Sequence, residues 1–92
     1  MKRFWKSMTY KIKWDKRAYK ELKGLETNDA IKILNNLHKL PENPYSPGNE
    51  LKGKFKNKFK LRIGDFGLIY WIEEKEKNVW IIAIGNRKDV YK

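Results

Sequence analysis

The chain is expected to fold as a single α+β domain, with an N-terminal strand and a helical hairpin packed on an antiparallel sheet. Three features lead there. Residues 8–14 alternate with period two, residues 15–40 place apolar side chains at helical spacing, and residues 54–84 return to strand-like runs divided by short turns. The helical stretch is segregated from most of the strands, as in α+β rather than βαβ folds. A length of 92 residues fits one domain. Its core is modest, because a domain of this size buries only about 60–65% of its unfolded surface.

In the first strand, Tyr10, Ile12 and Trp14 face one way and Lys11 and Lys13 the other. Asp15 offers an N-cap to a helix whose apolar stripe is Ala18, Leu22 and Leu25, with Gly24 near its end. Thr27 or Asn28 caps a second helix with the stripe Ala30, Ile33, Leu34, Leu37 and Leu40, and Asp29 sits where the N-terminal dipole favours an anion. Two helices joined by so few residues form an antiparallel hairpin. Pro41 stops the second, and Pro44, Pro47 and Gly48 mark an irregular loop. A basic strand follows, then a turn at Gly64-Asp65, a strand over Phe66–Glu73, a charged turn over Glu74–Asn78, and a strand over Val79–Ile84. This last strand is apolar on both faces and is therefore placed centrally. Residues 1–7 read as a basic N-terminal extension, and residues 8–92 as the domain.

The formal net charge of +11 points to an anionic partner: nucleic acid, an acidic protein or a membrane surface. There is no Cys, which excludes disulfides and thiolate chemistry. A single His and the lack of a tight carboxylate cluster argue against a metal site built by the protein, and no cofactor motif is present. No apolar run reaches the roughly 18–20 residues of a membrane span, and residues 1–7 lack the apolar stretch of a secretory signal. A soluble, cytoplasmic protein is the expectation.

The most telling segment is Lys54 to Arg62. Read as one extended strand, it sets Lys54, Lys56, Lys58, Lys60 and Arg62 on one face and Phe55, Phe59, Leu61 and Ile63 on the other, with Asn57 the polar interruption. The five cations would span roughly 27 Å. Like charges in a row repel, and a polyanion laid over them relieves the repulsion. Lysine also protects a solvated sheet edge, but one or two suffice for that.

With the hairpin on one sheet face, the other is left open and carries these cations. The open face is expected to lack the paired aromatics of base-stacking sheets. Trp71 and Trp80, in apolar strands, read as core or partner-contact residues, and His38 as a packed or exposed helix residue. What remains is Lys and Arg, with Tyr91 near the C-terminus. That set suits phosphate chemistry on RNA, where the 2′-hydroxyl is the nucleophile. The protein then has to align the strand, help remove a proton and stabilise charge on the phosphorane. The arginine fork does the last well. Lysine is a poor base at its ordinary pKa of about 10.4, and neighbouring cations favour its neutral form.

Glu50-Leu51-Lys52-Gly53, Lys58 through Phe66, Leu68-Ile69-Tyr70, Ile84-Gly85-Asn86-Arg87 and Val90-Tyr91 together resemble the RelE branch of the RelE/ParE toxin superfamily. The likeness runs from Met8 across nearly the whole chain. It implies a toxin held inactive in a hetero-oligomer by a cognate RelB-like antitoxin. RelE-type toxins enter the ribosomal A site and cut messenger RNA without a metal, leaving a 2′,3′-cyclic phosphate and a 5′-hydroxyl. By this resemblance Lys58 and Lys60 match the catalytic lysines, Arg62 and Arg87 the phosphate-binding arginines, and Tyr91 the C-terminal tyrosine that stacks on or orients the substrate. Lys52, Lys54 and Lys56 are the further RNA-binding candidates. One departure stands out: many RelE sequences carry an arginine where this chain has Gly67, which reads either as a lost charge contact or as a bulge or close backbone approach. Two other functions stay open, a ParE-like gyrase inhibitor and a nucleic-acid-binding member with weakened catalysis.

Overall fold

A computed structural model describes residues 9–45, 49–51 and 57–86. The elements are β1 (Lys11–Trp14), α1 (Lys16–Lys23), α2 (Thr27–Asn36), a 3-10 turn (Leu37–Lys39), β2 (Asn49–Glu50), β3 (Lys58–Ile63), β4 (Phe66–Glu73) and β5 (Asn78–Asn86). The sheet order is β1-β5-β4-β3-β2. The β2–β3, β3–β4 and β4–β5 pairs are antiparallel, whereas β1 joins β5 in parallel. The expected α+β class therefore holds with one amendment: the sheet is mixed at its β1 edge.

Local chemistry explains the helix ends. The Asp15 carboxylate accepts the Arg17 N–H at 2.9 Å and caps α1. Gly24 closes the helix, its N–H reaching the carbonyls of Lys20 and Glu21. Helix α2 starts one or two residues earlier than its Thr27 or Asn28 caps predicted, with Glu26 in the extended cap conformation and no side-chain cap bond. Asp29 does lie in its first turn. The helix tightens into the 3-10 turn before Pro41.

Ala18 and Leu22 from α1, Ile33 from α2, and Leu37 and Leu40 beyond it meet Phe59, Leu61 and Ile63 of β3, Leu68, Tyr70 and Ile72 of β4, and Val79, Ile81 and Ile84 of β5. Leu34 departs from its predicted stripe and is 42% exposed. It lines a shallow apolar pocket of about 280 Å³ with Ile12, Trp14, Leu37, His38 and Pro41. Helix α1 lies across β5, and its Glu21 carboxylate accepts the Ile84 N–H at 3.3 Å. That bond falls just after a register shift at Ile69/Tyr70, where Ile81 pairs with Tyr70 and Ala83 with Ile69, so Ile82 is the additional residue of a bulge. Alternation along β5 changes phase there.

Two polar anchors hold the loop after the 3-10 turn to the sheet. Tyr70, fully buried, donates its hydroxyl to the Pro44 carbonyl at 2.6 Å and stacks on Phe59 at 5.5 Å between centroids. Tyr45 packs edge-on against Phe59 at 5.6 Å and donates to Glu74. Glu74 also accepts from Tyr10 at 2.6 Å and from Lys77 at 2.8 Å. These bonds, Lys77 first, then Tyr10 and Tyr45, hold the Glu74 carboxyl down at about 2. Burial, then the Glu74 carboxylate, raises the phenols of Tyr10 and Tyr45.

Two outcomes follow for stability. Tyr70→Phe leaves the buried Pro44 carbonyl without its donor and should cost about 1–3 kcal/mol in urea denaturation. Glu74, with its carboxyl below the ordinary value, stabilises the fold above the usual carboxylate range, and that contribution fades as pH falls toward about 2. Thermal melts between pH 5 and pH 2 should therefore be less pH-dependent in Glu74→Gln than in the parent.

Candidate nucleic-acid interface

The cationic face is made by burial on its reverse. Along β3, Phe59, Leu61 and Ile63 are buried, so the intervening Lys58, Lys60 and Arg62 must point away from the helices. Lys58 and Lys60 are half-buried and Arg62 is exposed. From Lys58 to Arg62 the row spans about 13 Å.

The five-cation strand is not found as read. Asn57 has a φ of 61°, a left-handed conformation that ends the extended run, and β3 begins only at Lys58. The strand thus contributes Lys58, Lys60 and Arg62. Asn is the residue type that tolerates this conformation best after glycine, so the polar interruption was itself the mark of the break. Lys52, Lys54, Lys56, Arg87 and Tyr91 lie outside the described residues. Arg87 follows in sequence directly on Asn86, the last residue of β5.

Register fixes the neighbours of each cation on the open face. Lys58 pairs with Trp71, which pairs with Trp80, which pairs with Lys13 of β1. Lys60 pairs with Ile69 and then Ala83. Arg62 pairs with Gly67 and then Gly85, so the two positions beside it carry no side chain. Gly67 sits in regular register and the bulge is at Ile69/Tyr70, which removes a bulge as the reason for this glycine. Lys11, opposite Asn78, adds a further cation near the β1 edge.

Among the strand residues on this face, Glu73 is the single carboxylate. It accepts the Trp80 indole N–H at 2.9 Å and an Asn78 amide N–H at 3.0 Å. Those bonds, Asn78 first, hold its carboxyl below the usual range. The face thus combines strand cations with an aromatic pair and one engaged anion. Such a surface attracts an anionic chain and can align it along β3.

The expectation that this face lacks paired aromatics is overturned. Trp71 and Trp80 are cross-strand partners, half-buried, and neither belongs to the core cluster. Alternation in β4 carried the clue: Trp71 shares its parity with Glu73, opposite to Leu68, Tyr70 and Ile72. Lys11 and Lys13 were also missed as part of the face, because nothing local announces that β1 pairs with the distant β5.

Comparison with known proteins agrees with this architecture. The family model for the ParE toxin of type II toxin–antitoxin systems matches residues 12–91. A relative from Escherichia coli described as a RelE-like toxin is 32% identical over 87 residues, covering 91% of this chain and 92% of the relative. The mRNA interferase toxin RelE of the same species is 29% identical over 82 residues, covering 88% and 86%. Among solved structures, a chain of the intact E. coli RelBE toxin–antitoxin complex superposes with a TM-score of 0.74 at 26% identity, covering 84% of this chain and 95% of that one. The chain belongs to the RelE/ParE superfamily, as a RelE-like toxin of the type II toxin–antitoxin class.

Proposed function

We propose that the chain is a metal-independent endoribonuclease that cuts messenger RNA in the ribosomal A site. The observation that carries this reading is the alignment of Lys58, Lys60 and Arg62 on the open sheet face, beside the backbone-only positions Gly67 and Gly85. An RNA backbone laid along β3 meets these cations in turn. The 2′-hydroxyl gives up its proton and its oxygen attacks the adjacent phosphorus. The bond to the 5′-oxygen then breaks and that oxygen takes a proton, leaving a 2′,3′-cyclic phosphate and a 5′-hydroxyl. Lys58 or Lys60 acts as general base or as its electrostatic partner. Arg62 and Arg87 stabilise the phosphorane by charge-assisted hydrogen bonds, and Tyr91 orients the substrate. The likeness to an mRNA interferase toxin supports this assignment.

The partner we infer is a RelB-like antitoxin that carries an acidic or amphipathic segment and restrains the cationic surface. The solved complex of a related toxin with its antitoxin supports this. A second reading, inhibition of DNA gyrase, draws on the ParE description of the matching family model.

Mapping transcript 5′ ends after brief induction tests the proposal. Cuts inside codons of translated frames are expected. Uncut transcripts together with loss of gyrase supercoiling would favour the second reading. Arg62→Ala and Arg87→Ala should each lower cleavage at least tenfold with far-UV circular dichroism unchanged, and undiminished cleavage in both would refute their roles. Binding to a single-stranded oligoribonucleotide should weaken with salt. One phosphate for each of Lys58, Lys60 and Arg62 gives a log–log slope of about −2. A slope near zero would mean that the β3 cations do not meet phosphates.

A further inference from the structure

No role above uses Trp71 and Trp80. They pair directly across β4 and β5, and the row continues on one side to Lys58 and on the other to Lys13. Side chains directly opposite in an antiparallel pair have Cβ atoms about 4.5–5.5 Å apart, so the two indoles leave the same face from neighbouring positions. Both are half-buried, so part of each residue meets solvent. The Trp80 N–H is committed to Glu73, itself held by Asn78, which fixes the orientation of that ring. What Trp80 offers a ligand is therefore apolar, aromatic surface rather than a hydrogen bond.

The surroundings choose the ligand. Lysine stands at both ends of the aromatic pair, and Lys60 and Arg62 continue the line of cations along β3. An acidic protein segment would satisfy the charges, and an amphipathic one the indoles as well, so such a segment has to be tested against RNA. Single-stranded RNA satisfies both at once, with phosphates on the cations and unstacked bases on the rings. The face also steps down from the tryptophan row, through Ile69 and Ala83, to the glycines beside Arg62. Bases would thus be gripped at the tryptophan row, with the phosphates carried along the cations of β3.

We propose that Trp71 and Trp80 form a stacking platform for bases of single-stranded RNA, which sets the strand on the cationic row with a phosphate near Arg62. This rests on the reading of the open face as an RNA surface and adds to it a site that receives bases. The pair acts as positioning residues and takes no part in the reaction at the phosphate.

The test uses a 2′-O-methyl oligoribonucleotide, which cannot be cut, and an abasic strand of the same length and charge. The parent protein should bind the base-containing strand at least about tenfold more tightly than the abasic one, with saturable quenching of tryptophan emission by the former alone. Trp71→Leu combined with Trp80→Leu should bring the two affinities together while leaving the salt dependence intact. Trp71→Phe with Trp80→Phe should restore most of the preference. Because the first comparison needs no variant, unfolding of the leucine protein would not rescue the proposal. Equal affinity of the parent for both strands overturns it, as does quenching by an acidic antitoxin peptide with none by RNA. Intact transcripts in cells alongside base-dependent binding would sink the cleavage reading and leave the platform standing. Cut transcripts alongside unchanged binding by the leucine protein would do the reverse.

Discussion

The burial of Phe59, Leu61 and Ile63 is the constraint from which the surface chemistry of this molecule follows. A strand cannot bury those three without turning Lys58, Lys60 and Arg62 to the opposite side. Phe59 is itself held from two directions, by stacking on Tyr70 and by the edge of Tyr45. A slip of one residue in β3 would bury three cations and expose three apolar side chains, so hydrophobic packing fixes the register with high fidelity. The electrostatic pattern is in this sense a by-product of the core. Its spacing is as rigid as the sheet that carries it.

Across the sheet the same face changes character in an orderly way. The tryptophan row is bulky and flanked by lysines, the next row holds Ile69 and Ala83, and the last holds only Gly67 and Gly85 beside Arg62. Members of this superfamily share an architecture at low identity, and the paired residues on the open face are where one such chain can differ from another without disturbing the core. Gly67 illustrates the point. It sits in undistorted register, so the missing side chain shapes the floor next to Arg62 rather than the path of the strand.

Much of the fold was legible from local pattern. The limits of β4, the Asp15 cap, the Gly24 stop and the Gly64-Asp65 turn coincide with their signals, because each depends on residues within a few positions of one another. The failures share a physical origin in distance. The parallel pairing of β1 with β5 joins segments far apart in sequence, and only tertiary packing decides it. The bulge at Ile82 shifts the phase of alternation in a strand whose residues are apolar on both sides, so no contrast in the sequence reveals it. Trp71 and Trp80 were read as core or partner contacts because apolarity reports a preference for leaving water, not which face of the sheet supplies the shelter, although the parity of Trp71 with Glu73 pointed to the open face. On the candidate site, the strand cations were readable from their period. The break at Asn57 was visible only to a reader who weighs a left-handed backbone above an unbroken charge pattern.

The parallel β1–β5 pair ties together two segments that a ribosome makes at opposite ends of its task. Lys13 is synthesised early, yet its neighbour Trp80 follows only after the hairpin, β3 and β4 have been made. The assembled face therefore does not exist on a growing polypeptide until β5 has left the exit tunnel. Anything that needs the whole face is thus withheld from a growing chain for as long as β5 remains unmade.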